Sequence, residues 1–219
     1  TMKSHVQKYL GNLPNVARKE SYIDNNIILN GSGSFEFQKN TEKNAVARYI
    51  FSSPYINMPK NRATIYLANI ILNRLLNEEI RGSQELVYSI GSARSLITLP
   101  KYHNLNYIYF DSDPKNIKKI YSEIDKIILK INNGKIEDNY IKDAQKKLNN
   151  DIADAKQKNS FWVSNISSRY FDKEDFKTII NFEKTISSIN KKDIVDYFNN
   201  TFNKNFLKAS FLPNIKNNN

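Results

Sequence analysis

The sequence has no cysteine, and its 219 residues include only two histidines, one tryptophan, two methionines, six glycines and six prolines. Without thiols there can be neither a disulfide framework nor a thiolate metal site, and cytosol and periplasm suit such a composition equally well. The two histidines, His5 and His103, are far apart, and neither has a second ligand one helical turn away. The H-x-x-E-H arrangement, which grips zinc between two imidazoles on one helix face, is therefore missing. Both histidines read as ordinary surface or turn residues. No run approaches the roughly 20 apolar residues that span a bilayer, so no membrane span is expected. A charged segment followed by an apolar stretch and a cleavage site is also lacking at the N-terminus. Instead, Met2 to Leu10 reads as the tail of an amphipathic helix already under way, which suggests a piece of a longer protein with any leader upstream.

What is present points to a folded chain. Hydrophobic residues make up 40% and charged residues 25%, with 13 tyrosines and 12 phenylalanines, enough to build a core in a polar, Asn- and Lys-rich surface. The net charge of +11 raises nucleic acid as a partner. The lysines are scattered, however, with no block of five or six like charges, so a basic nucleic-acid-binding domain ranks last among the readings. Gly31-Ser32-Gly33-Ser34 does not form a phosphate cradle, because no helix follows at the required distance and the Walker lysine is absent.

Periodicity supplies the elements. Alternation after Gly33 and again from Asn44 to Tyr55 predicts two strands. From Lys60 to Ile80, apolar residues recur at three-and-four spacing and predict a long helix. Leu86–Ile97 and Leu105–Phe110 read as two more strands, joined by a turn around Pro100 and His103. Four consecutive apolar or aromatic residues from Tyr107 make the second of these a central strand covered on both faces. Asp113 and Pro114 then open a helix through Ile117, Ile120, Tyr121, Ile124, Ile127, Ile128 and Ile131. Helices are expected over 136–158, 161–170, 173–185 and 191–201, with a last strand at Phe206–Leu212. The order predicts an α+β fold, an antiparallel sheet with helices on one face. The chain divides into a helix end and linker (1–30), one α+β domain (31–213) and a polar tail (214–219).

Several of these segments, in this order, resemble the C-terminal part of pitrilysin/insulinase-type zinc peptidases, most closely the bacterial periplasmic members. They are Tyr9-Leu10-Gly11-Asn12-Leu13-Pro14, the helix-to-strand junction Ile80 to Ile90, the strand and turn Tyr107 to Pro114, and the segment Lys156 to Tyr170 with Asn159-Ser160-Phe161-Trp162. The series closes with Ile189-Asn190-Lys191-Lys192-Asp193-Ile194 and Phe211-Leu212-Pro213.

The resemblance implies a catalytically silent domain that walls in a peptide opposite a zinc site carried by an N-terminal half, on the same polypeptide or a partner subunit. It places zinc in that other half and no cofactor in this chain. The implied location is the periplasm or cell envelope, with the cytosol also open. In active members of the family, an arginine and a tyrosine seven positions apart at the helix-to-strand junction hold the substrate backbone. Arg81 and Tyr88 match that spacing, although Gly82-Ser83-Gln84-Glu85 departs from the usual run between them. A non-catalytic scaffold subunit is the alternative, in which Arg81 merely suits a helix C-terminus and Tyr88 packs. Trp162, flanked by Phe161 and Val163, reads as core rather than as a binding platform, and Glu78 and Glu79 read as solvated rather than catalytic.

Overall fold

Alternation along the strands decides how the chain is layered. In a computed structural model, which describes residues 1–14, 19, 21–40, 43–203 and 205–214, strand β2 (Ala45–Pro54) buries Ala45, Ala47, Tyr49 and Phe51 and leaves Val46, Arg48 and Ile50 partly exposed. Strand β4 (His103–Ser112) buries Asn104, Asn106, Ile108 and Phe110, whereas Tyr109 on the opposite face is 38% exposed. A period-two pattern of this kind requires cover on one face only. The remaining strands are β1 (Ser32–Asn40), β3 (Ser89–Ile97) and β5 (Phe206–Pro213), and the sheet order is β1-β5-β2-β4-β3.

The α+β architecture expected from the sequence is the one observed. All neighbours pair antiparallel except β1 and β5, which run parallel. Expected at the centre, β4 is an interior strand, between β2 and the edge strand β3, and it is covered on one face rather than two, because Tyr107 and Tyr109 point away from the helices. Parts of the expected linker (15–18 and 20) and nearly all of the polar tail (215–219) lie outside the described residues.

Helix α2 (Pro59–Leu76) spans the sheet, with Pro59 in its first turn, where a missing N–H costs nothing. It buries Ala63, Leu67, Ala68, Ile71, Leu72, Leu75 and Leu76, and also the charged Arg62. Helix α3 (Ile117–Asn132) buries all seven positions that its periodicity predicts. Ahead of it the Asp113 carboxylate accepts from the Lys115 N–H at 3.0 Å, with Pro114 in the next position. Helices α4 (Asp138–Lys156) and α5 (Asn159–Phe171) follow. The single helix expected over 173–185 is two short ones, α6 (Lys177–Ile180) and α7 (Phe182–Ser187), broken at Asn181, which caps both. The N-terminal helix α1 (Met2–Tyr9) buries none of its residues.

Trp162 departs from its expected place in the core. It is 36% exposed, donates its indole N–H to the Lys156 carbonyl at 2.8 Å, and meets Phe161 edge-on. Arg169 is the one buried residue of α5, so this helix lies on the outside and its aromatic pair divides between solvent and interior.

The last helix, α8 (Lys191–Thr201), starts with a reciprocal cap. The Asn190 side chain accepts from the Asp193 N–H at 3.1 Å, and the Asp193 carboxylate accepts from the Asn190 N–H at 3.0 Å. Asn190→Ala should lower stability by about 1 kcal/mol, read as a shift in the urea midpoint with the slope unchanged. An unshifted midpoint would show that the cap is incidental.

Candidate functional site

Helix α2 does not stop cleanly. It continues as one wider turn over Asn77–Gly82, with the hydrogen-bonding pattern of a π-helix. Such turns occur mostly as single insertions and are frequent at functional sites. Within it Ile80 is fully buried and pins the turn to the core, while Arg81 and Gly82 face solvent. The reversal into β3 is tied down by side chains: Ser83 donates to the Glu78 carbonyl at 2.7 Å, and Gln84 donates to the Glu79 carbonyl and the Glu123 carboxylate, both at 3.3 Å. Glu85 takes the left-handed conformation with φ +50°, which turns the chain toward the sheet. Leu86 and Val87 then bury, and the Tyr88 N–H donates to the Asp111 carbonyl at 2.8 Å to start β3.

The departure at Gly82-Ser83-Gln84-Glu85 thus still yields a well-anchored junction, with Arg81 on the helical side and Tyr88 at the head of the strand. Tyr88 is 59% exposed. Among the described residues, the Arg81 guanidinium has no ion pair and the Tyr88 hydroxyl no hydrogen bond. Both are donors held on a fixed backbone and free to meet a ligand.

The strand that Tyr88 opens is a sheet edge, paired with β4 alone among the described strands. Its open-face positions are small: Ser89, Gly91, Ala93 and Ser95. At Gly91 a Cβ would lie 2.5 Å from the Tyr109 hydroxyl oxygen of the facing strand, so any larger residue would displace that ring. The Tyr109 ring lies across the strand at that point. The unpaired backbone of β3 can accept another strand.

The other residues weighed from the sequence are engaged structurally. Glu78 pairs with Arg74 at 2.7 Å and accepts from the Tyr140 hydroxyl at 2.7 Å, whereas Glu79 pairs with Lys130 at 2.6 Å, so neither is simply solvated. His5 is exposed and stacks on Tyr9. His103 differs from its expected place in a turn: it begins β4, is 7% exposed, and its Nε2 meets the Ser52 hydroxyl. Among the described residues, no group of three or more His, Asp or Glu side chains could hold a metal ion, and the donor set does not fit a zinc site.

Burial holds the His103 pKa below its ordinary value of 6.5. The folded state therefore binds its proton less readily than the unfolded chain does. The stabilising contribution is complete above about pH 6.5 and is lost as the pH falls through the lowered folded value. Unfolding free energy should decline below pH 6.5 by up to about 1.4 kcal/mol per pH unit from this group. His103→Gln should flatten that part of the profile in urea titrations at pH 5 and 7.5, and an unaltered profile would remove His103 as the cause.

One cluster escaped the sequence reading. Arg62 donates to Glu174 at 2.6 Å and to Asn57 at 2.6 Å, and Arg169 approaches the second oxygen of Glu174 at 3.3 Å. Asn57 in turn donates to Asp172 at 3.1 Å. Nearby in the fold, Arg94 falls on the helix-facing phase of β3 with Ile90, Ser92 and Leu96, where a charge is out of place.

A family comparison matches residues 1–148 to the peptidase M16 inactive domain. Among solved structures, the ferredoxin protease FusC, crystallised as a mutant with Arabidopsis ferredoxin, superposes with a TM-score of 0.81 at 15% identity over 97% of this chain and 23% of FusC. The periplasmic protease PqqL from Escherichia coli gives a TM-score of 0.78 at 14% identity over 97% of this chain and 24% of PqqL. A protease from Helicobacter pylori gives 0.75 at 13% identity, covering 96% of this chain and 52% of that one. The chain therefore spans between about a quarter and about half of the length of these relatives. Comparison with curated protein sequences gives no match. No helix among the described residues is long and apolar enough to cross a membrane. The matched stretch covers the junction, β1 to β4 and most of α4, and the chain belongs to the peptidase M16 inactive-domain family.

Proposed function

We propose that this chain is the wall of a zinc endopeptidase's substrate chamber, lying opposite a catalytic half that carries the metal on the same polypeptide or on a partner subunit. The observation behind this reading is the pairing of two unengaged donors, Arg81 and Tyr88, across an anchored junction at the head of an open sheet edge. A peptide entering in extended form can add to β3 through main-chain hydrogen bonds, with small residues on one face leaving room for its side chains. At the head of that strand, the guanidinium and the phenol can donate to peptide carbonyl oxygens. Donors aimed at an oxygen on which charge develops lower the barrier to cleavage without any chemistry of their own.

In this reading the chain hydrolyses nothing alone, and its partners are the catalytic half and an unfolded peptide. The domain runs over 31–213, with 1–30 linking it to what precedes and 214–219 a tail. Location in the periplasm or cell envelope accords with the description of PqqL as a periplasmic protease.

The test is peptide hydrolysis by the parent protease carrying Arg81→Ala or Tyr88→Phe. Loss of activity with an intact fold supports the wall. Full activity in both variants rejects it and leaves a scaffold subunit, the reading in which the altered Gly82–Glu85 run has relaxed the site.

A further inference from the structure

A cavity of about 500 Å³ lies between the helix-facing side of β3 and helices α2, α4, α5 and α7. That is an ordinary size for a small-molecule site. Its walls are mixed: Tyr55, Tyr66, Leu96, Phe161 and Phe182 supply apolar surface, and three guanidinium groups, Arg62, Arg94 and Arg169, converge on it.

The three arginines are not equivalent. Glu174 bridges Arg62 and Arg169, Asp172 accepts from Asn57, and Asp151 is taken by Lys147 at 2.9 Å. Every carboxylate at the cavity is thus engaged away from Arg94. Arg94 itself lies over the Tyr66 ring, 3.9 Å from its centroid, and makes one long hydrogen bond of 3.5 Å to Asn69. Its Nε is buried without a partner among the described residues. Burial pulls its pKa below the ordinary value. Stacking on one ring offsets only part of that cost.

We propose that this cavity is a binding site for a carboxylate carried on an apolar or aromatic body, with Arg94 as its counter-ion and Tyr66, Phe161 and Phe182 around the body. A planar carboxylate fits the fork of the Arg94 guanidinium, which lines the cavity. A free aromatic acid and the C-terminal residue of a peptide share this chemistry. The site stands apart from Arg81 and Tyr88, and its test requires no peptidase activity.

The probes are N-acetyl-phenylalanine and its amide, titrated into the chain by calorimetry or NMR. The acid should bind on the order of 1 mM or tighter, as expected for so few atoms, and the amide at least tenfold more weakly. Arg94→Gln should abolish the difference between the two without lowering the melting temperature, since it removes a part-buried charge that has no ion pair among the described residues. Arg94→Lys, which keeps the charge but loses the fork, should fall between and serves if the glutamine variant does not fold. Attaching three residues to the amino end of the acid separates the sources: retained affinity assigns a peptide terminus, lost affinity a small acid, and either supports the site. Equal binding of acid and amide, no binding of either, or tighter binding of inorganic phosphate than of the acid would overturn the assignment.

Discussion

Glu174→Ala should destabilise the chain by about 3–5 kcal/mol, the cost of breaking a largely buried ion pair by removing one partner. The side chains of Glu174, Arg62 and Arg169 retain only 15%, 7% and 10% of their exposure, so the two cations share one buried anion. Deleting it leaves two desolvated guanidinium groups close together, and the Arg62 charge already helps to lower the pKa of Arg169. An exposed pair behaves differently: Lys147 and Asp151 are both more than half exposed, and removing that pair should register within about 1 kcal/mol. Urea denaturation of the variant at pH 7 measures the effect. If Arg62→Met combined with Glu174→Ala and Arg169→Met restores most of the loss, the penalty lies in the stranded charge. If Glu174→Ala alone costs under about 1 kcal/mol, the cluster is open to water and the buried description fails.

The second large effect concerns catalysis. If this chain walls the chamber as proposed, Arg81→Ala in the full peptidase should reduce kcat/KM by about 100- to 1,000-fold, the range typical for removing one donor to a developing oxyanion. Tyr88→Phe removes a single hydroxyl from a neutral donor and should cost less, about tenfold. The division between kcat and KM discriminates further. A donor that engages the peptide equally before and during cleavage raises KM alone, whereas one that engages the developing charge lowers kcat. Because both groups sit on one anchored junction, the double variant should cost less than the product of the single effects. Retained kcat in Arg81→Ala, with only KM raised, would make the residue a peptide anchor and no more.

Legibility in the sequence followed the range of the forces involved. Helix α3 was fully readable, because a one-sided isoleucine stripe is a local pattern and Asp113-Pro114 a local start. The burial of Arg62 was not readable, since it depends on a carboxylate 112 positions away. The π turn has no periodic signature, yet it is what sets Arg81 apart from the helix before it. His103 read as a turn residue because Pro100 lies close by, but strand pairing extends the sheet to include it, opposite Pro54. Tyr107–Phe110 suggested cover on both faces, since tyrosine counts as apolar by composition while its ring can lie half in water. The junction residues were legible by family resemblance, and their freedom from partners was not, because an unpaired donor leaves no mark in a sequence. The Arg94 cavity shows the same limit from the other side: its parts come from β3, α2, α4, α5 and α7, and no window of the sequence contains them together.

The place of β5 in the sheet bears on how the polypeptide is made. The last strand synthesised sits between the first two, bonded to β1 on one side and β2 on the other. Only residues 41–44 separate β1 from β2, and the two run in opposite directions, so a nascent chain still tethered to the ribosome can close them as a hairpin in the slot reserved for β5. Such a hairpin must open before the final strand can insert, which makes completion of the sheet a late event governed by its most distant pairings.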